Sequence, residues 1–244
     1  MSLLDGLQLN PALDWDALAR EFAATGRIRI HGFLADPLPT RLHAVLRDRE
    51  DWRQLINSGD KIFELDRATR TGMSAEQAAA LEAAVQAGAR TGFQYRYETL
   101  RLTDGDGGGT AGDAALSAFP RWLSSGAARE CLRRLTGIPA IDFADGQATA
   151  YAPGDFLTGH TDEVPGKQRH AAYVYGLTPQ WRTEWGGLLL FHDEDGTVRG
   201  LTPGFNTLDV FAVPQLHSVS RVGPEAAYRR YAITGWLRSA RPPS

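Results

Sequence analysis

After Pro139 the chain breaks into short runs of alternating side chains: Gln147–Tyr151, Phe156–His160, His170–Gly176, Gly187–His192, Thr207–Phe211, His217–Val222 and Tyr231–Leu237. Gly, Pro and Asp separate them, and no convincing helical period survives in this half. Residues two apart on a strand share a face, so each run suits a half-buried strand. Regularly spaced short strands with turn signals between them build a sandwich or a barrel. The expected fold is therefore mainly β, a jelly roll with flanking helices.

The first half reads differently. Trp15, Leu18 and Phe22 recur at helical spacing in Asp14–Ala24, which Gly26 ends. Arg27–Phe33 reads as a strand and Pro37–Arg49 as a helix. Asp51–Ile56 and Lys61–Leu65 read as strands joined by a turn over Asn57–Asp60. Ser74–Ala89 is an alanine-rich helix with a capping box of Ser74 and Gln77. Phe93–Leu102 alternates as a strand, and Ala114–Leu123 and Gly126–Thr136 read as helices. The glycines of Thr103–Asp113 lack the Lys-Ser/Thr ending of a phosphate loop, so this run reads as a mobile surface loop. No low-complexity linker divides the chain. The expectation is one domain, with 1–138 as helical and strand support and 139–240 as the jelly-roll core.

Composition narrows the function classes. A chain of 244 residues with 43% hydrophobic residues can bury a sizeable core. A net charge of −3 gives no basic field for nucleic acid. Cys131 is the only cysteine, so no internal disulfide can form. Neither a signal peptide nor a membrane-length apolar run is read in the sequence. Together these lead to an expected cytoplasmic location with no membrane or nucleic-acid partner.

The chemistry centres on His160, Asp162 and His217. If Gly159–Asp162 is a strand, His160 and Asp162 point to one face. An imidazole from His217 would complete a two-histidine, one-carboxylate set, which leaves coordination positions open and suits non-haem Fe(II). HxD is common, so the bland alternative is a surface pair and an unrelated histidine. Arg230 shifts the balance. Arg230, Ala232, Thr234 and Trp236 alternate, and turned inward they would bury a guanidinium, a fork suited to a carboxylate. Arg229 would then face outward. The competing reading pairs Arg230 with an acid on the rim. Tyr173 and Tyr175 share a strand face, and one hydroxyl could reach the acid that Arg230 holds; the alternative is core. His192 precedes a turn and reads as surface. Trp181, Trp185, Gly186 and Gly187 read as loop packing, with a substrate mouth as the alternative.

In this order the motifs resemble the Fe(II)- and 2-oxoglutarate-dependent oxygenases, in their prolyl-hydroxylase-like branch. Tyr151-Ala152-Pro153-Gly154-Asp155-Phe156 with His160-Thr161-Asp162 is similar to the branch's tyrosine, Pro-Gly and HxD strand pair. Tyr173-Val174-Tyr175, Trp181 and Trp185-Gly186-Gly187 resemble its next strand and loop. Leu216–Val219 and Arg230–Trp236 resemble its distal histidine and arginine strand. The likeness covers roughly 147–238. It implies a double-stranded β-helix, iron on His160, Asp162 and His217, and no catalytic side chain beyond the metal site. It also implies 2-oxoglutarate held by Arg230 with help from Tyr175, and Tyr151 and Thr234 lining the same pocket. Trp236 would lie near the co-substrate and metal. Arg221 stands where the branch has an uncharged residue, as a rim salt bridge or a substrate contact. The implied reaction is hydroxylation by a dioxygenase using Fe(II), 2-oxoglutarate and O2, with ascorbate as an optional reductant. The implied substrate is a prolyl residue in a protein or peptide; the rivals are a free amino acid or other small molecule, and a cupin-like sensor without turnover.

Overall fold

The computed structural model describes residues 6–103 and 114–239. The glycine-rich loop, from 104 to 113, lies outside them. In order, the elements are α1 (Trp15–Thr25), β1 (Arg27–His31), α2 (Leu38–Asp48), β2 (Arg53–Ser58), β3 (Lys61–Leu65), α3 (Arg67–Thr71), α4 (Ala75–Thr91) and β4 (Tyr95–Thr103). Then follow α5 (Ala114–Leu123), α6 (Gly126–Thr136), β5 (Phe143–Ala144), β6 (Gly146–Tyr151), β7 (Phe156–His160), β8 (Arg169–Leu177), a 3-10 turn (Thr183–Trp185), β9 (Leu189–His192), β10 (Val198–Leu201), β11 (Phe205–Ala212), β12 (His217–Val219) and β13 (Arg230–Arg238).

Local chemistry sets the helix ends. The Asp14 carboxylate accepts from the amides of Asp16 and Ala17, and α1 stops at Gly26 with φ 67°. Ser74 and Gln77 close a reciprocal capping box on α4. The short elements α3, β5 and β10 carry no sequence period. β10 is an exposed edge strand broken by Gly200, so alternation has nothing to report there. The strand expected over 217–222 is only three residues long.

The strands run β1-β11-β8-β13-β6-β4-β7-β12-β9-β10, with the β2–β3 hairpin leaving from β4. The described strands form the double-stranded β-helix, the expected jelly roll. β4 holds it together: Glu98–Thr103 pairs with β6, while Tyr95 and Arg96 pair with β7. β1 adds to the far edge against β11.

The two faces of the main layer differ in chemistry. Tyr231, Ile233 and Leu237 of β13 join Leu42 and Leu46 of α2 and Leu116, Phe119 and Leu123 of α5 in one buried cluster. Arg230, Thr234 and Trp236 point the other way, into a cavity. The alternation expected for β13 thus holds in the structure.

Outer-face charges are also buried. Glu98 of β4 is 1% exposed and is gripped by Arg70 of α3 and Arg229. Arg229 faces away from the cavity as expected, yet it is not idle. Removing it leaves the buried Glu98 with one cation. A hydrogen bond to a charged group contributes about 1.5–3 kcal/mol. Arg229→Ala is expected to lose stability of that order in denaturant unfolding, with 2-oxoglutarate affinity unchanged.

Candidate metal centre

β7 and β12 lie side by side, and their register sets His217 opposite His160. The ring centroids are 4.2 Å apart. The Asp162 carboxylate closes the group, 3.6 Å from His160 Nε2 and 3.5 Å from His217 Nε2. One donor atom from each residue lies within 4.8 Å of the others. Asp162 does not sit on the strand, which ends at His160. Its convergence comes from the turn of the chain after β7, where Arg169 donates to the Asp162 carbonyl at 3.0 Å.

Both imidazoles are pinned through Nδ1. His160 Nδ1 donates to the Thr158 carbonyl at 3.0 Å, and His217 Nδ1 to the Gln215 carbonyl at 2.8 Å. That tautomer leaves each Nε2 lone pair free for a cation. Burial raises the Asp162 carboxyl, but the facing imidazoles, His160 and then His217, outweigh it and bring it below its ordinary value. Burial, then the neighbouring His160, lowers the His217 pKa. Two neutral nitrogens and one ionised carboxylate are the donor set that Fe(II) takes.

Arg230 opens into the same cavity of about 560 Å³. It is 5% exposed, and its guanidinium lies over the Tyr151 ring, 5.0 Å from the centroid. Among the described residues it makes no ion pair or hydrogen bond, and the adjacent Asp209 is taken by Arg29. Burial depresses its pKa. A buried fork with no partner is a site for an anion. Gly187 gives it room, while a Cβ on Gly186 would overlap the Arg221 carbonyl. Both have positive φ, 63° and 70°, and a Cβ on Gly187 would sit 3.5 Å from the Arg230 stem and 3.2 Å from Trp181 and Val222. The Trp-Gly-Gly run is therefore packing behind the arginine.

Tyr151 and Thr234 line the cavity as expected, as does Trp236. Tyr175 does not. Its ring stacks on Phe119 with centroids 4.8 Å apart, and its hydroxyl donates to Asn206 Oδ1 at 3.0 Å. Tyr173 likewise donates to the Asp145 carbonyl at 2.8 Å. Both tyrosines of β8 belong to the core cluster on the helix side; Tyr173 also reaches the cavity wall between Ala172 and Val174, but each hydroxyl already donates inside the protein. Tyr151 stands under Arg230 instead, stacked on Tyr97.

The other residues singled out lie elsewhere. Among the described residues Arg221 makes neither a rim salt bridge nor a cavity contact; it donates to the Gly154 carbonyl and to Gln86. His192 is half-buried, 2.7 Å from Ser218 Oγ. Sequence reasoning missed Arg169, whose guanidinium lies 3.5 Å over the Trp236 ring, and Phe93, whose ring is 5.3 Å from that of His160. The visible signal for Phe93 was its alternation with Tyr95, Tyr97 and Thr99, which marked a strand but not the face that meets the metal site.

Residues 146–238 match the model of the 2OG-Fe(II) oxygenase superfamily. The chain is 32% identical over 127 residues to the mouse (Mus musculus) prolyl 3-hydroxylase OGFOD1, covering 48% of this chain and 23% of that protein. It thus spans about a quarter of that relative's length. Among solved structures, a prolyl-4-hydroxylase from Pseudomonas putida superposes with a TM-score of 0.62 at 18% identity, over 93% of this chain and 100% of that one. A prolyl hydroxylase from Trichoplax adhaerens, solved with a hypoxia inducible factor peptide fragment, gives 0.56 at 17% identity over 92% and 89%. The stretch that carries the two histidines, the aspartate and the arginine thus resembles the 2OG-Fe(II) oxygenases, and the fold around it is shared with solved prolyl hydroxylases.

Proposed function

We propose that the protein hydroxylates a prolyl residue in a protein or peptide, using 2-oxoglutarate and O2. The observation that carries the co-substrate is Arg230, a buried guanidinium in the cavity of the triad with no partner among the described residues. His160, Asp162 and His217 would hold Fe(II), and Arg230 would grip the far carboxylate of 2-oxoglutarate over Tyr151. When bound, the metal and co-substrate couple oxidative decarboxylation of 2-oxoglutarate to insertion of oxygen into a C–H bond. The chain positions the reactants. The carbonyls of Thr158 and Gln215 fix the imidazoles so that each Nε2 would face the metal. Thr234 and Trp236 form part of the cavity wall beside Arg230.

The substrate assignment is supported by the mouth. Ile62, Phe93 and Val164 all line the cavity, yet they are 59%, 49% and 42% exposed. An open apolar rim around a metal site suits a chain that lies across it, with one side chain entering. The 32% identity to a prolyl 3-hydroxylase supports proline as that side chain. Proline-containing peptides are expected to stimulate succinate formation and free proline is not. Robust turnover of free amino acids with no response to any peptide would favour a small-molecule hydroxylase. No succinate with any substrate would favour a sensor.

A further inference from the structure

A buried polar cluster joins the β2–β3 hairpin to the metal site. Asn57, read from sequence as a turn residue, ends up in β2 at 4% exposure, and Gln94, just before β4, is 3% exposed. Gln94 Nε2 donates to the Asn57 carbonyl at 2.7 Å and to Asn57 Oδ1 at 3.0 Å. Asn57 Nδ2 donates to the Phe93 carbonyl at 2.9 Å, and the Tyr95 amide donates to Asn57 Oδ1 at 2.8 Å. The side chain of Asn57 thus grips the backbone on both sides of Gln94.

Gln94 in turn holds Thr158. Its backbone N–H donates to Thr158 Oγ1 at 2.8 Å, and the Thr158 N–H donates to its backbone carbonyl at 2.9 Å. The carbonyl of the same Thr158 is the acceptor for His160 Nδ1. The path therefore runs from hairpin to imidazole without a gap, through groups largely shielded from water. Phe93, carried on the clamped backbone, lies against the His160 ring. The room for this is made by Gly88 of α4, where a Cβ would overlap the Gln94 amide oxygen.

We infer that Asn57, Gln94 and Thr158 are positioning residues that set the orientation of the His160 imidazole and seat the Phe93 lip upon it. The inference rests on the reading of His160, Asp162 and His217 as a metal centre. The physical basis is general: a partner that orients a metal-binding imidazole changes affinity by roughly 10–100-fold when lost. Here the partner is a backbone carbonyl, which a side-chain change displaces without deleting, so a smaller effect follows.

The whole chain, freed of metal, should be titrated with Co(II) and followed through its visible absorption, which reports the ligand field without turnover. Thr158→Val removes the hydroxyl without a change of shape and keeps the β-branch suited to a strand. Gln94→Met removes the amide. Both are expected to weaken Co(II) binding about fivefold to tenfold and to shift the absorption band. Thr158→Ser is expected to restore both. Gly88→Ala, which favours the helix but displaces Gln94, should resemble Gln94→Met. A role in stability alone would lower the melting temperature and leave band and affinity unchanged. Unaltered Co(II) binding and spectrum in Thr158→Val and Gly88→Ala overturn the inference, whether or not Gln94→Met folds. If the unsubstituted chain binds no Co(II), the metal-centre reading fails and takes the inference with it.

Discussion

Arg230→Ala is expected to raise the apparent 2-oxoglutarate constant tenfold to a hundredfold or more. The guanidinium is buried, without a partner among the described residues, and aimed into the cavity of the triad. A charged hydrogen bond contributes about 1.5–3 kcal/mol, and about 1.4 kcal/mol is a decade in affinity. Two bonds from one fork place the loss at the upper end of that range. Arg230→Lys should restore only part of it, because an ammonium cannot match a carboxylate at two points. Fe(II) binding should survive both changes, since no candidate iron ligand is touched. Arg229→Ala is the control: its side chain grips Glu98 on the other face of the layer, so its cost should appear in unfolding and not in co-substrate binding. If Arg229→Ala impairs 2-oxoglutarate binding and Arg230→Ala does not, the assignment of faces is wrong. If neither has an effect, the co-substrate site lies elsewhere.

The second large effect belongs to the metal. Asp162→Ala or His217→Ala is expected to abolish turnover and to lower Fe(II) affinity by on the order of a hundredfold or more. The comparison is with loss of an orienting partner, which alone costs about 10–100-fold. The fold should persist. Both residues sit in a cavity wall, while the large buried cluster lies behind β13 and β8. Far-ultraviolet circular dichroism should therefore overlay on the parent. Iron binding and turnover like the parent's in either variant would remove the triad from the mechanism.

How much of this was legible in the sequence depended on the range of the interaction. His160 and Asp162 are two residues apart, and Arg230, Thr234 and Trp236 share a strand period, so their common faces could be read. His217 was reachable by its ligand type and its place at a strand start. Tyr175 was misread because alternation says which residues share a face but not which face meets the cavity. That choice is made by Phe119 and Asn206, which receive the ring and hydroxyl from 56 and 31 residues away along the chain. Asn57 was misread for the same reason. As a local signal, Asn-Ser-Gly-Asp marks a turn, and only Phe93, Gln94 and Tyr95 give Asn57 a role inside the strand. Arg169 left no periodic trace at all, since its place over Trp236 depends on two strands meeting.

The edge position of β1 has a consequence for synthesis. Its Arg29 pairs with Asp209, 180 residues later. At roughly 5–20 residues per second, β1 waits on the order of 10–40 s for its neighbour strand. An unpaired apolar strand invites association with other chains. Here Arg27 and Arg29 alternate with Ile28 and Ile30, so the waiting strand carries two charges. On arrival those charges are absorbed by Asp193 and Asp209. The same two arginines that keep the nascent chain from sticking thus become, once the roll closes, the latches of its outermost strand.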